Sequence, residues 1–163
     1  MKLLIFIRHF IEFFLFKIIL LILNLFSKSL SSKIIRNFLL FLGKFSKYHI
    51  IAKNNCKIVF PNLSDDAIIK IINNSWKNLG NNLFELTYLK KLINQKNLIE
   101  FEGLEVLEKI KKKAAPVIFF SIHASNWEIC VPILDQKGFN IGAIYRHINN
   151  KFFDKYIYKK RNE

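Results

Sequence analysis

Pro116-Val117-Ile118-Phe119-Phe120-Ser121-Ile122 is the stretch on which the fold turns. It is an unbroken β-branched and aromatic run, the pattern of a strand buried on both faces of a parallel sheet. Downstream, the spacing predicts a helix from about Asn126 to Gln136, a turn at Gly138, and a second strand over Asn140 to Tyr145. Strand, helix and strand make a β-α-β unit. The chemistry of such a unit is expected at the C-terminal ends of its strands. Upstream, Leu98 to Glu102 alternates and predicts a short strand. Gly103-Leu104-Glu105 then opens a helix that ends at Lys111-Lys112-Lys113, where cations suit the negative end of the helix dipole. The fold class expected is therefore α/β.

Earlier segments read as helices. Phe60-Pro61-Asn62-Leu63 is a turn, and Ser64 is a good N-cap for a helix from Asp65 to about Asn78. Asp65 and Asp66 complement its dipole, and Ile68, Ile69, Ile72 and Trp76 form its apolar side. Gly80 predicts an interruption before a second helical stretch, Asn81 to Lys91.

Leu3 to Phe26 holds 19 apolar residues out of 24. As a helix it would span ~36 Å against ~30 Å of hydrocarbon. Arg8 and Glu12 fall four apart on one face and can pair, whereas a central Lys17 costs roughly 3 kcal/mol on insertion scales. No small-x-small cleavage site follows, so the expectation is an uncleaved membrane anchor, spanning at a tilt or lying deep in the interface. Ser27 to Lys33 reads as a polar break. Ile34, Ile35, Phe38, Phe41, Leu42 and Phe45 then recur at helical spacing among Lys33, Arg36, Lys44 and Lys47. Such a basic amphipathic helix fits an anionic membrane surface, and equally an ordinary core-facing helix with solvated lysines. The expected division is an anchor helix at 1–26, a basic juxtamembrane segment at 27–59, and an α/β domain from 60 to 163.

Composition narrows the partners. Lys, Asn, Ile and Phe make up half of the 163 residues, and lysine outnumbers arginine 22 to 4. All four enriched residues have AT-rich codons, so the net charge of +14 does not by itself point to a polyanion. The lysines are dispersed and no recognition motif is present, which argues against nucleic acid. Cys56 and Cys130 make no disulfide framework, and no Cys/His cluster has zinc spacing, so no metal site is expected.

His123 stands just past the main strand, in His123-Ala124-Ser125-Asn126-Trp127-Glu128. On a continuous helix, residues five apart do not share a face. Across a loop-to-helix junction they can meet. A carboxylate bonded to one ring nitrogen would fix the tautomer and leave the other as a general base. That is a triad without its nucleophile, which suits a substrate bringing its own hydroxyl. The same residues also read as a capping box, Ser125 at the N-cap and Glu128 at N3, with His123 a loop histidine. Ser121 lacks the Gly-x-Ser-x-Gly elbow of a nucleophile.

His-x-x-Asn-Trp-Glu at a strand end resembles the motif of the lipid A biosynthesis acyltransferases, the lauroyl and myristoyl transferases. Phe60-Pro61-x-Leu63-Ser64, Glu102-Gly103-Leu104-Glu105, Tyr145-Arg146-x-x-Asn149 and Phe153-Asp154 are similar to other blocks of that family, in the same order. The resemblance implies transfer of a fatty acyl group from acyl carrier protein to a hydroxyl of a lipid A precursor. The site would face the cytoplasm at the bacterial inner membrane, with that membrane's lipids as further partners. His123 would be the general base, Glu128 its orienting partner, and Asn126 and Arg146 would hold substrate oxygens or phosphates. No cofactor is implied, since the acyl group arrives as a thioester on the carrier.

Three positions depart from the family. Ala124 and Ser125 stand where an aromatic residue and glycine are common, and His147 where proline is common. Family members are nearly twice this long. The chain is thus expected to be the N-terminal half of an incomplete α/β acyltransferase domain, without transferase activity by itself. The alternatives are a related glycolipid or phosphatidylinositol mannoside acyltransferase, and an inactive membrane-anchored remnant.

Overall fold

A computed structural model describes residues 2–95, 99–113 and 115–162. It divides into two compact units, Met1–Glu85 and Leu86–Glu163. Eight α-helices and two short 3-10 turns make up the regular structure among the described residues, which contain no strand.

The first unit is built from α1 (Lys2–Leu23), α2 (Lys28–Lys44), α3 (Lys47–Val59) and α4 (Asp65–Glu85). The serine-rich stretch read as a polar break is the start of α2. Ser27 caps it, its hydroxyl accepting from the Leu30 N–H at 3.3 Å. Ser31 is fully buried and donates to the Leu23 carbonyl at 2.6 Å, which ties α2 to the end of α1. Ser64 lies at the N-terminus of α4 as expected and accepts from the Ala67 N–H at 3.3 Å.

The pairing of α2 with α4 organises this unit. Ile35 faces the buried Ile68 and Ile72 side of the core, and two glycines let the helices close. A Cβ on Gly43 would fall 2.2 Å from Cδ2 of Trp76. A Cβ on Gly80 would fall 2.9 Å from the Ile35 carbonyl oxygen. The expected interruption at Gly80 is absent because α4 runs straight through it. The glycine serves close approach of α2 rather than a break. Trp76 also donates through Nε1 to Nδ1 of His49 on α3, at 3.3 Å.

Among the described residues no helix is long and apolar enough to cross a membrane, which corrects the expected membrane-anchoring helix. α1 has the length, at 22 residues. Lys2, Arg8, Glu12 and Lys17 interrupt it too often. Arg8 and Glu12 do form the expected i,i+4 pair, at 3.5 Å.

The second unit contains a 3-10 turn (Leu86–Tyr88), α5 (Leu89–Ile93), α6 (Leu104–Lys113), a 3-10 turn (Trp127–Ile129), α7 (Cys130–Gln136) and α8 (Lys151–Arg161). Leu86 and Leu89 are its buried apolar residues. The expected α/β fold is not formed. Pro116–Ile122 and Asn140–Tyr145 carry no strand, and no β-α-β sheet exists among the described residues. Leu98, the first residue of the remaining expected strand, lies outside the described residues, and 99–102 form none. The reason is a missing environment. A parallel strand needs neighbours along both edges and cover on both faces. Here Ile118 is 89% exposed, Phe120 95% and Ile144 fully exposed. Phe119 makes a T-shaped contact with Phe139, just before the second expected strand, with centroids 5.2 Å apart.

Candidate functional site

The loop from His123 to Ile129 is shaped by three local devices. The Ala124 N–H donates back to the Ile122 carbonyl at 2.8 Å, tightening the chain just before the loop. Ser125 takes a left-handed conformation, φ +48°. Asn126 then caps the 3-10 turn, its side-chain oxygen accepting from the Glu128 N–H at 3.1 Å. The cap therefore sits one residue later than the expected capping box, on Asn126 instead of Ser125. The left-handed turn at Ser125 takes that residue out of cap geometry.

Trp127 joins the two candidate catalytic side chains. Its ring lies 5.0 Å from the His123 ring, centroid to centroid, and its Nε1 donates to Oε1 of Glu128 at 3.1 Å. His123 and Glu128 form no hydrogen bond with each other among the described residues. The Glu128 carboxylate, 12% exposed, is instead clamped from the last turn of α8. Arg161 Nε meets Oε2 at 2.8 Å and a terminal guanidinium nitrogen meets Oε1 at 2.7 Å, a bidentate geometry. The carboxylate holds the Arg161 guanidinium above its ordinary pKa, against the opposing effect of burial.

Arg161 leads into a second polar cluster. Its guanidinium lies 5.6 Å above the Tyr145 ring. The Tyr145 hydroxyl is 3.3 Å from Nδ1 of His147, and the same nitrogen is 2.8 Å from Oδ2 of Asp154. Oδ1 of Asp154 accepts the Ile148 N–H at 2.9 Å. That backbone bond, then the bond to His147, holds the Asp154 carboxyl below its ordinary pKa. The histidine–carboxylate pair actually formed is thus His147–Asp154, beside the first turn of α8. Arg146 is exposed and has no hydrogen bond or ion pair among the described residues. It does not join His123, Asn126 and Glu128.

Sequence reading singled out neither Arg161 nor the His147–Asp154 pair. Arg161 lies 33 residues from Glu128, and in sequence it looks like one of three cations at a helix end. Beneath α7 and α8, Val131, Pro132, Asp135, Ile141 and Arg161 help line an open cleft of about 500 Å³. No group of His, Cys, Asp and Glu among the described residues is arranged to hold a metal ion.

The family model of the bacterial lipid A biosynthesis acyltransferases matches residues 2–163. The chain belongs to that family. No curated protein and no solved structure matches it. Ser125 adopts the backbone conformation that glycine enters without a Cβ penalty.

Proposed function

We propose that this lipid A acyltransferase family member moves a fatty acyl group from acyl carrier protein to a hydroxyl of a lipid A precursor, with His123 as general base. The observation that carries the reading is the match over residues 2–163, which takes in the whole His-x-x-Asn-Trp-Glu loop. His123 removes the proton of the acceptor hydroxyl, whose oxygen attacks the thioester carbonyl. The new C–O bond forms, the C–S bond breaks, and the carrier thiolate leaves with a proton from the imidazolium. Trp127 lies tilted against the His123 ring, a contact that favours one orientation of the imidazole. In its role as partner, Glu128 exchanges one Arg161 bond for His123 when substrate binds. Asn126 and Arg146 contact substrate oxygens or phosphates, a role that the unpaired guanidinium of Arg146 supports. No diffusible cofactor enters the reaction.

The reading puts the reaction at the cytoplasmic face of the bacterial inner membrane, where an acylated glucosamine acceptor resides. Its support is the family match over residues 2–163. The test is transfer of labelled acyl groups from acyl carrier protein to a lipid A precursor, in the protein as its reading frame encodes it. His123→Ala is expected to lower the rate by about 10²–10⁴-fold, and Glu128→Gln is expected to lower it less. Equal rates in wild type and both variants would remove the dyad. Transfer to a phosphatidylinositol mannoside in preference to the lipid A precursor would change the acceptor.

A further inference from the structure

α2 and α4 of the first unit border an open cleft of about 410 Å³. Ser29, Ser32, Lys33, Arg36 and Asn37 line it from α2, and Lys77 from α4. The α2 residues fall at i, i+3, i+4, i+7 and i+8, so they share one face. Gly80, one turn beyond Lys77, brings α4 against the Arg36 backbone, where an added Cβ would lie 3.0 Å from the Arg36 Cα. The two helices therefore present Arg36 and Lys77 to the same space.

Lys33, Arg36 and Lys77 form no ion pair or hydrogen bond among the described residues, and no carboxylate lines the cleft. Glu85 is held one turn away by Asn81, whose Nδ2 donates to it at 2.7 Å. Asn81 in turn accepts from Ser32 at 2.6 Å, which fixes one wall of the cleft. Like charges on neighbouring turns repel, so Lys33 and Arg36 gain from a shared anion. Arginine is one of four in a chain of 22 lysines, so its position here does not follow from the lysine-rich composition. A guanidinium fork, two ammonium groups, the Ser29 hydroxyl and the Asn37 amide together suit a tetrahedral dianion better than a single carboxylate.

We propose that the α2–α4 cleft is a binding site for a phosphate group, borne either by a lipid headgroup or by free phosphate. The site lies on a different unit from His123 and does not depend on the acyltransfer reading.

The test titrates the full chain with inorganic phosphate and, separately, with phosphatidylcholine vesicles with and without phosphatidic acid. Arg36→Gln is expected to weaken saturable phosphate binding about tenfold or more, and Arg36→Lys by less, because the charge stays and the fork is lost. The triple variant Lys33→Gln, Arg36→Gln, Lys77→Gln should abolish it. A control triple, Lys109→Gln, Lys112→Gln, Lys113→Gln, removes the same charge from α6 and should change affinity less than about twofold. Far-UV circular dichroism checks that each variant keeps its helices. Phosphate binding without lipid, lost in Arg36→Gln, supports the site with free phosphate as ligand. Binding only to phosphatidic acid vesicles, lost in Arg36→Gln, supports it with a headgroup as ligand. Equal loss in the two triple variants, or no saturable binding of either probe, overturns the proposal.

Discussion

Ser125 shows how a single residue carries strain at the candidate site. A left-handed backbone costs a residue with a Cβ about 1–2 kcal/mol, and glycine gives back part of that in unfolded-state entropy. Ser125→Gly is therefore expected to raise stability by roughly 0.5 kcal/mol in urea unfolding. The clamp on Glu128 is a second single-residue feature. Arg161→Gln keeps one amide donor and loses the charge and the fork. It should lower stability by about 1 kcal/mol, discounted for solvent at the guanidinium, and Arg161→Lys should recover only part. At this scale the sequence was partly legible. The His123-to-Glu128 loop announced itself through its residue types and spacing. The partners of its carboxylate did not, because a bidentate contact across 33 residues leaves no local trace.

Helices reveal themselves through period and caps, and several here were legible, whereas α3 and α8 were not singled out and the start of α2 was read as a break. The α6 span, the Ser64 start of α4 and the Gly138 turn, φ +82°, follow the sequence closely. Gly80 misled because a glycine in a helix has two uses, a break or a close approach, and only the partner helix decides between them. The close approach makes a sharp prediction. Gly43→Ala pushes a methyl into the Trp76 ring and should cost about 1–3 kcal/mol in thermal or urea unfolding. At the junction of α3 and α4, Lys57 and Lys53 reach Asp65 at 2.9 and 3.1 Å and hold its carboxyl below the ordinary 3.8. A depressed folded-state pKa contributes stability above the unfolded value and loses it as pH falls through the folded one. Asp65→Asn should therefore lower stability at pH 7 and converge on wild type as pH falls below ~4, so its stability falls less steeply with acid. The expected strands were misread for a related reason. A run such as Pro116–Ile122 specifies what a strand requires, not whether its neighbours are there.

Among the described residues all regular structure is helical, and each unit exposes large apolar side chains. Leu3, Leu4, Phe6, Leu25, Phe45 and Ile58 in the first unit and Phe120 in the second are open to solvent. Exposed apolar side chains in such number promote association. The chain is expected to self-associate in plain buffer and to disperse in mild detergent, with a far-UV spectrum of helices and no sheet band in either state. Light scattering and circular dichroism on one sample check both. The two units also differ in what they expose to light. The chain has two tryptophans, and each unit holds one. Trp76 rests on Gly43 with its indole nitrogen on His49, whereas Trp127 lies against His123 with its indole nitrogen on Glu128. Each indole is therefore a resident fluorophore for its own half. Trp76→Phe leaves emission that follows only the loop around His123, and Trp127→Phe leaves emission that follows only the helical unit. In both halves a histidine lies beside the ring, and protonated imidazole quenches indole emission. Two single-tryptophan proteins would thus report local melting and local protonation separately, without any added dye.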